Sequence, residues 1–134
     1  MALQTYITIA DVRNKTFQTF SDPTKQIYVD LANDELEDLA KRKGVSDLTT
    51  IAMPIHHKLK EFCIHYAVQQ LALDNANFNN KDALSVGEDK YNVLYQRESY
   101  ALQEIHKGVT LIMFTGGAET PTNRAVLSQR LERR

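Results

Sequence analysis

The stretch from Pro54 to Leu73 constrains this chain most. Ile55, Leu59, Phe62, Cys63, Tyr66, Ala67, Leu71 and Leu73 recur at three- and four-residue intervals, the repeat of one side of an α-helix rather than of a strand. A helix with so wide an apolar stripe has to be covered on most sides, so the spacing predicts the centre of a helical core, ending near Asp74-Asn75. Only five glycines and three prolines occur in 134 residues, which favours long helices over a sandwich of short strands.

Three further helices are expected around it. Thr8 and Asp11 form a near-match to a capping box, with Asp in place of the usual Glu, and predict a short first helix from Ile9 to Phe17. Ser21-Asp22-Pro23 is the second start: a polar cap, an acid for the helix dipole and proline in the first turn. From there Ile27, Leu31, Leu36 and Leu39 fall on one broad face, with Tyr28 and Ala32 beside them, until Gly44 stops the helix after Lys41, Arg42 and Lys43. A connector from Val45 to Met53 follows, and Pro54 is read as the start of the central helix. Asn75 to Lys81 is polar and rich in asparagine, a loop composition. A fourth helix starts at Ser85 or around Gly87, shows Tyr91, Leu94, Tyr95, Ala101, Leu102 and Ile105 on its apolar face, and ends at Gly108. The run Val109 to Phe114 is short and apolar and is expected to be an extended segment packed on the bundle or on a neighbour. The fold class is therefore all-α: a bundle of about four helices with a short extended segment and a C-terminal arm. Gly116-Gly117 divides it into a body, residues 1–115, and a flexible arm, residues 116–134.

Charge and cysteine exclude several function classes. The formal net charge is −1, which argues against a chain that binds nucleic acid over its whole surface. One cysteine, Cys63, allows no intrachain disulfide, and its neighbours Phe62 and Ile64 predict a buried thiol in a protein made in a reducing cytoplasm. No window approaches the ~20 consecutive apolar residues of a membrane span, and Met1 to Arg13 lacks the basic flank and apolar run of a signal peptide.

No catalytic pattern emerges. His56 and His57 are adjacent, and on a helix adjacent side chains diverge by about 100°. His57 and Glu61 share a helical face at i, i+4, but two ligands do not close a metal site. Asp34 to Asp38 places four acids in five positions, which reads as an outward-facing solvated run, or in an oligomer as a face for a basic partner; catalytic carboxylates need apolar surroundings to tune them. Phosphate-binding and nucleophile-elbow motifs are absent from the sequence. No catalytic residue, cofactor or metal is expected. Tyr91 and Tyr95 share a face, with core packing as their plain role and an interface as the alternative.

The arm is the most informative segment. From Thr120 onward it carries Arg124, Arg130, Arg133 and Arg134 against Glu132, and Val126 or Leu127 with Leu131 makes one small apolar stripe if the arm is helical. So short a helix is marginal alone in water. Its plain reading is a frayed terminus; its functional reading is an arm that folds onto another subunit, with phosphate contact as a lesser use.

The order of these elements resembles the head–tail connector (adaptor, head-completion) proteins of tailed bacteriophages. The resemblance lies in the opening Tyr6-x-Thr8-x-x-Asp11-Val12, in Asp22-Pro23 before a long helix, in the apolar helix from Pro54 to Leu73, and in the last helix with Tyr91, Leu102 and Ile105 before Gly108. It covers Tyr6 to Phe114 and is one of pattern and length rather than of a diagnostic motif; the asparagine-rich loop and the arginine-bearing tail depart from it. It implies a ring of about a dozen copies under the portal protein, extending the DNA channel without sequence-specific binding and offering a docking surface to the tail or the next connector. It implies a place in the virion, at the head–tail interface, after synthesis in the bacterial host cytoplasm. Arg124, Val126, Leu127, Arg130, Leu131, Arg133 and Arg134 are the implied portal-binding residues. The competing reading is a DNA-handling helical ring such as a small terminase subunit, which calls for a basic surface and a helix-turn-helix.

Overall fold

The computed structural model describes residues 2–76 and 86–116. The described residues are helical throughout, with no strand: α1 (Lys15–Gln18), α2 (Asp22–Arg42), α3 (His57–Asn75), α4 (Val86–Gly108) and α5 (Leu111–Thr115), with 3₁₀ turns at Ile9–Asp11 and Leu48–Thr50. Helix α3 is the centre, packed against α2 on one side and α4 on the other. Leu59, Phe62, Cys63, Ala67, Val68, Leu71 and Ala72 are its buried residues, so the apolar stripe does organise the core.

Local signals set most helix limits. Ser21 is the N-cap residue of α2, and proline stands in the first turn. At the other end Gly44 adopts φ 105°. The Val45 N–H donates to Ala40 O at 2.9 Å and the Gly44 N–H to Lys41 O at 3.1 Å, the paired bonds of a Schellman stop that only a residue tolerant of positive φ closes easily.

Four expectations are corrected. The short first helix is two pieces: a 3₁₀ turn over Ile9–Asp11, where Asp11 Oδ2 accepts from the Thr8 N–H at 2.8 Å, and the single turn α1, capped afresh by the Asn14 side chain accepting from the Phe17 N–H at 3.0 Å. Two N-cap positions six residues apart, Thr8 and Asn14, start two turns, not one helix. The core face of α2 is Val29, Ala32, Leu36, Leu39 and Ala40, while Ile27 and Leu31 are exposed; both sets have helical spacing, and α3 covers only one. Leu73 likewise faces out. Pro54 does not open α3. It lies three residues ahead of the helix, in a cis Met53–Pro54 bond, and the cap is His56, whose Nδ1 accepts from the Lys58 N–H at 3.1 Å.

The fourth correction concerns Val109–Phe114, which is not extended. Thr110 precedes the short helix α5. Val109 and Phe114 both enter the core, and Phe114 O accepts from the Ala52 N–H at 2.8 Å. A single helical turn places Val109 and Phe114 inward while Leu111 and Ile112 stay exposed; six residues hold too few repeats for periodicity to separate this from a strand.

Most of the loop from Asn75 to Lys81, and the whole arm beyond Gly116, lie outside the described residues.

Candidate interaction surface

Helix α2 is amphipathic in an unusual sense, because polar residues occupy both sides. Asn33 and Glu37 are 5% and 6% exposed. They lie under the N-terminal segment. Asn33 Oδ1 accepts from the Tyr6 and Ile7 N–H groups at 3.1 and 3.0 Å, and its Nδ2 donates to Ile7 O at 3.3 Å. Glu37 Oε2 accepts from the Leu3 N–H at 2.7 Å and from the Tyr6 hydroxyl at 2.5 Å. The burial is tolerable because every donor in this staple finds an acceptor. Burial, followed by the Glu37 hydrogen bond and charge, pushes the Tyr6 hydroxyl well above its ordinary value. The acidic run is thus not uniformly solvated: Glu37 turns inward, and Asp38 turns to solvent.

The adjoining outer side of α2 presents Ile27 and Leu31, 57% and 41% exposed, together with Asp30 and Asp38, also exposed, and the half-buried Asp34. Two shallow hollows of about 320 and 300 Å³ run along its edge and share Asp34 as a wall.

A larger groove, about 560 Å³, opens between α2, α3 and α4. Phe62, Tyr66, Tyr95 and Leu102 line it, with the Phe62 and Tyr66 rings near-parallel at 6.2 Å between centroids. The α2 wall is the Glu35–Arg42 ion pair at 3.0 Å, and the far end holds His106 and Lys107. Burial first, then the nearby Glu35 and Asp38 charges, hold the Tyr66 hydroxyl above its usual value. On the outside of α4, Tyr100 is 65% exposed and Val93 is exposed too. Of the tyrosines on α4, Tyr91 meets Phe20 edge-on at 6.3 Å, Tyr95 lines the groove, and Tyr100 faces solvent.

The α3–α4 seam is joined by polar pairs. His65 Nδ1 lies 2.5 Å from Glu98 Oε1. A carboxylate only accepts, so the imidazole is the donor. Gln69 Nε2 donates to Ser99 Oγ at 2.9 Å. The Glu98 hydrogen bond raises the His65 pKa, partial burial opposes it, and the Glu98 and Glu61 charges add to the rise. At the far end of α2, the Tyr28 hydroxyl donates to Asp74 Oδ2 at 2.7 Å, and burial with this bond lifts its pKa to about 12.

The sequence candidates for chemistry separate in space. His56 and His57 stack with ring centroids 4.4 Å apart, and His56 is spent on capping α3. Cys63 is fully buried, its Sγ 3.9 Å from Ala32 O, and burial raises its thiol pKa, which keeps it protonated and inert. Among the described residues no group of three or more His, Cys, Asp or Glu is placed to hold a metal ion, and no helix is long and apolar enough to cross a membrane. The expected partner-binding residues, Arg124, Val126, Leu127, Arg130, Leu131, Arg133 and Arg134, lie outside the described residues. Sequence reasoning missed the roles of Asn33 and Glu37, whose partners, Leu3, Tyr6 and Ile7, stand some thirty positions away.

Comparison of the chain with protein-family models, curated proteins and solved structures finds no match.

Proposed function

We propose that this chain is a non-enzymatic assembly subunit, a helical body that works through its surfaces. In particular, we read it as a head–tail adaptor of the tailed-phage kind: one copy in a ring beneath the portal, extending the DNA channel and receiving the tail or the next connector. The observation that supports this best is a helical body with a filled core that still presents large apolar side chains on two helices, Ile27 and Leu31 on α2 and Val93 and Tyr100 on α4. Such faces are typical of surfaces covered in an assembly. The order of elements supports the adaptor form, and the arginine-bearing arm supplies the contact with the portal through Arg124, Arg130, Arg133 and Arg134, where charge-assisted pairs to carboxylates add specificity.

The test is particle imaging and mass measurement with and without a portal. The expected result is a ring on the portal and no portal complex for a chain lacking Asn123 to Arg134, with the helical circular dichroism of the body retained. Normal portal binding by the shortened chain overturns the role of the arm. Tight, salt-sensitive DNA binding at physiological ionic strength favours the DNA-handling reading instead.

A further inference from the structure

The outer face of α2 has a shape and charge that match one segment of the chain itself. Ile27 and Leu31 are four residues apart, and Asp30, Asp34 and Asp38 repeat at the same interval, so the five lie along one side of the helix. The apolar pair is exposed, Asp30 is exposed and accepts from the Gln26 side chain at 2.8 Å, and the hollow beside Asp38 has three acids, Asp34, Glu37 and Asp38, against Lys41. The segment from Asn123 to Arg134 has the opposite charge, four arginines against one glutamate. Helical spacing puts Leu127 and Leu131 on one side of it with Arg124 and Arg134. Lengths agree as well: twelve residues of helix span about 18 Å, which is also the run of α2 from Ile27 to Asp38.

We propose that the outer face of α2 is a docking surface for the C-terminal arm of a second copy of this chain. Leu127 and Leu131 cover Ile27 and Leu31, and the arginines pair with Asp30 and Asp38. The contact gives the arm the apolar partner that so short a helix needs to be stable. Arm and face are different surfaces, so the contact is heterologous and links copies head to tail. This inference rests on the ring reading, and it adds a step to it: the arm sits on a neighbouring copy until the portal draws it off.

The experiment is sedimentation of the full chain over a range of concentration and salt. It compares wild type with D30K/D38K on the face, R130E/R134E on the arm, and the four changes combined. Circular dichroism checks that each variant keeps its helical content. Wild type is expected to self-associate, less so as salt rises. Each charge reversal shifts the association midpoint at least tenfold to higher concentration, and the combined variant regains most of that loss. A wild-type chain that stays monomeric, reversals that change nothing, or a combined variant without recovery each overturns the proposal. So does an arm that reaches α2 of its own chain, seen as concentration-independent cross-linking within one chain. Portal capture separates the two readings. Association indifferent to the reversals with portal capture intact removes only the α2 docking, whereas a wild-type chain that never engages a portal removes the adaptor reading.

Discussion

Glu37 and Asp38 are neighbours in the chain and opposites in the fold. The first is buried beneath the N-terminal segment, where it accepts from Leu3 and Tyr6; the second is exposed on the outer side of α2. One helix therefore carries two acidic faces with different tasks. The inner one exchanges water for fixed donors and ties residues 26 to 34 positions distant to the bundle. The outer one leaves Asp30 and Asp38 exposed. The identity of a carboxylate decides little here; the donors waiting for it decide its role.

Substitutions along α2 test this division, beginning with the apolar residues between the acids. Leu36→Ala removes a fully buried side chain and is expected to cost about 3 kcal/mol in urea unfolding. A loss below that of any polar change on α2 would mean that α2 is only loosely seated. Asn33→Ala leaves the Tyr6 and Ile7 N–H groups without their acceptor and should cost about 2 kcal/mol. Hydrogen exchange at those two amides is the direct readout, and protection equal to wild type would show that the staple is not formed by Asn33. Tyr6→Phe removes one bond to Glu37 and is expected to cost about 1 kcal/mol, measurable as a lower melting temperature.

The α3–α4 seam is the intermediate case, half-buried and titratable. The folded state holds the His65 pKa above its ordinary value, chiefly through Glu98. Its contribution is fully present below the ordinary histidine pKa and is lost as pH rises through the raised folded value. Melting temperature should therefore fall across that interval for wild type and change less for Glu98→Gln; equal pH dependence in both would detach His65 from the effect. The smallest change is expected on the outer face, where Asp30→Asn or Asp38→Asn should alter folding stability by less than about 0.5 kcal/mol. A larger loss in the monomer would erase the distinction between the two faces of α2.

The parts of this fold written in local chemistry were legible in the sequence. Ser21-Asp22-Pro23 and Gly44 bracket α2, the apolar stripe marks α3, and Gly108 ends α4, because caps and periodicity act within one or two turns. Pro54 misled because a proline in the first turn and a proline shortly before a cap share one signature. Ile27 and Leu31 were read as core because two apolar sets with helical spacing coexist on α2, and only tertiary packing chooses between them. The inward turn of Glu37 was invisible for the same reason, since its donors come from the distant N-terminal segment. The adaptor reading rests on the order of elements and the arm on its glycines and arginines, whereas the groove lined by Phe62, Tyr66 and Tyr95 needs three helices in place before it exists.

Gly116 adopts φ 75°, and a Cβ there would meet the Ala52 Cβ at 2.9 Å. The last described residue is thus a place for glycine on two counts, a φ that side chains disfavour and no room for a Cβ. Gly116→Ala would press a methyl group on Ala52 in a backbone geometry that alanine rarely adopts, loading the seam between α5 and the connector before α3 without touching a single arginine.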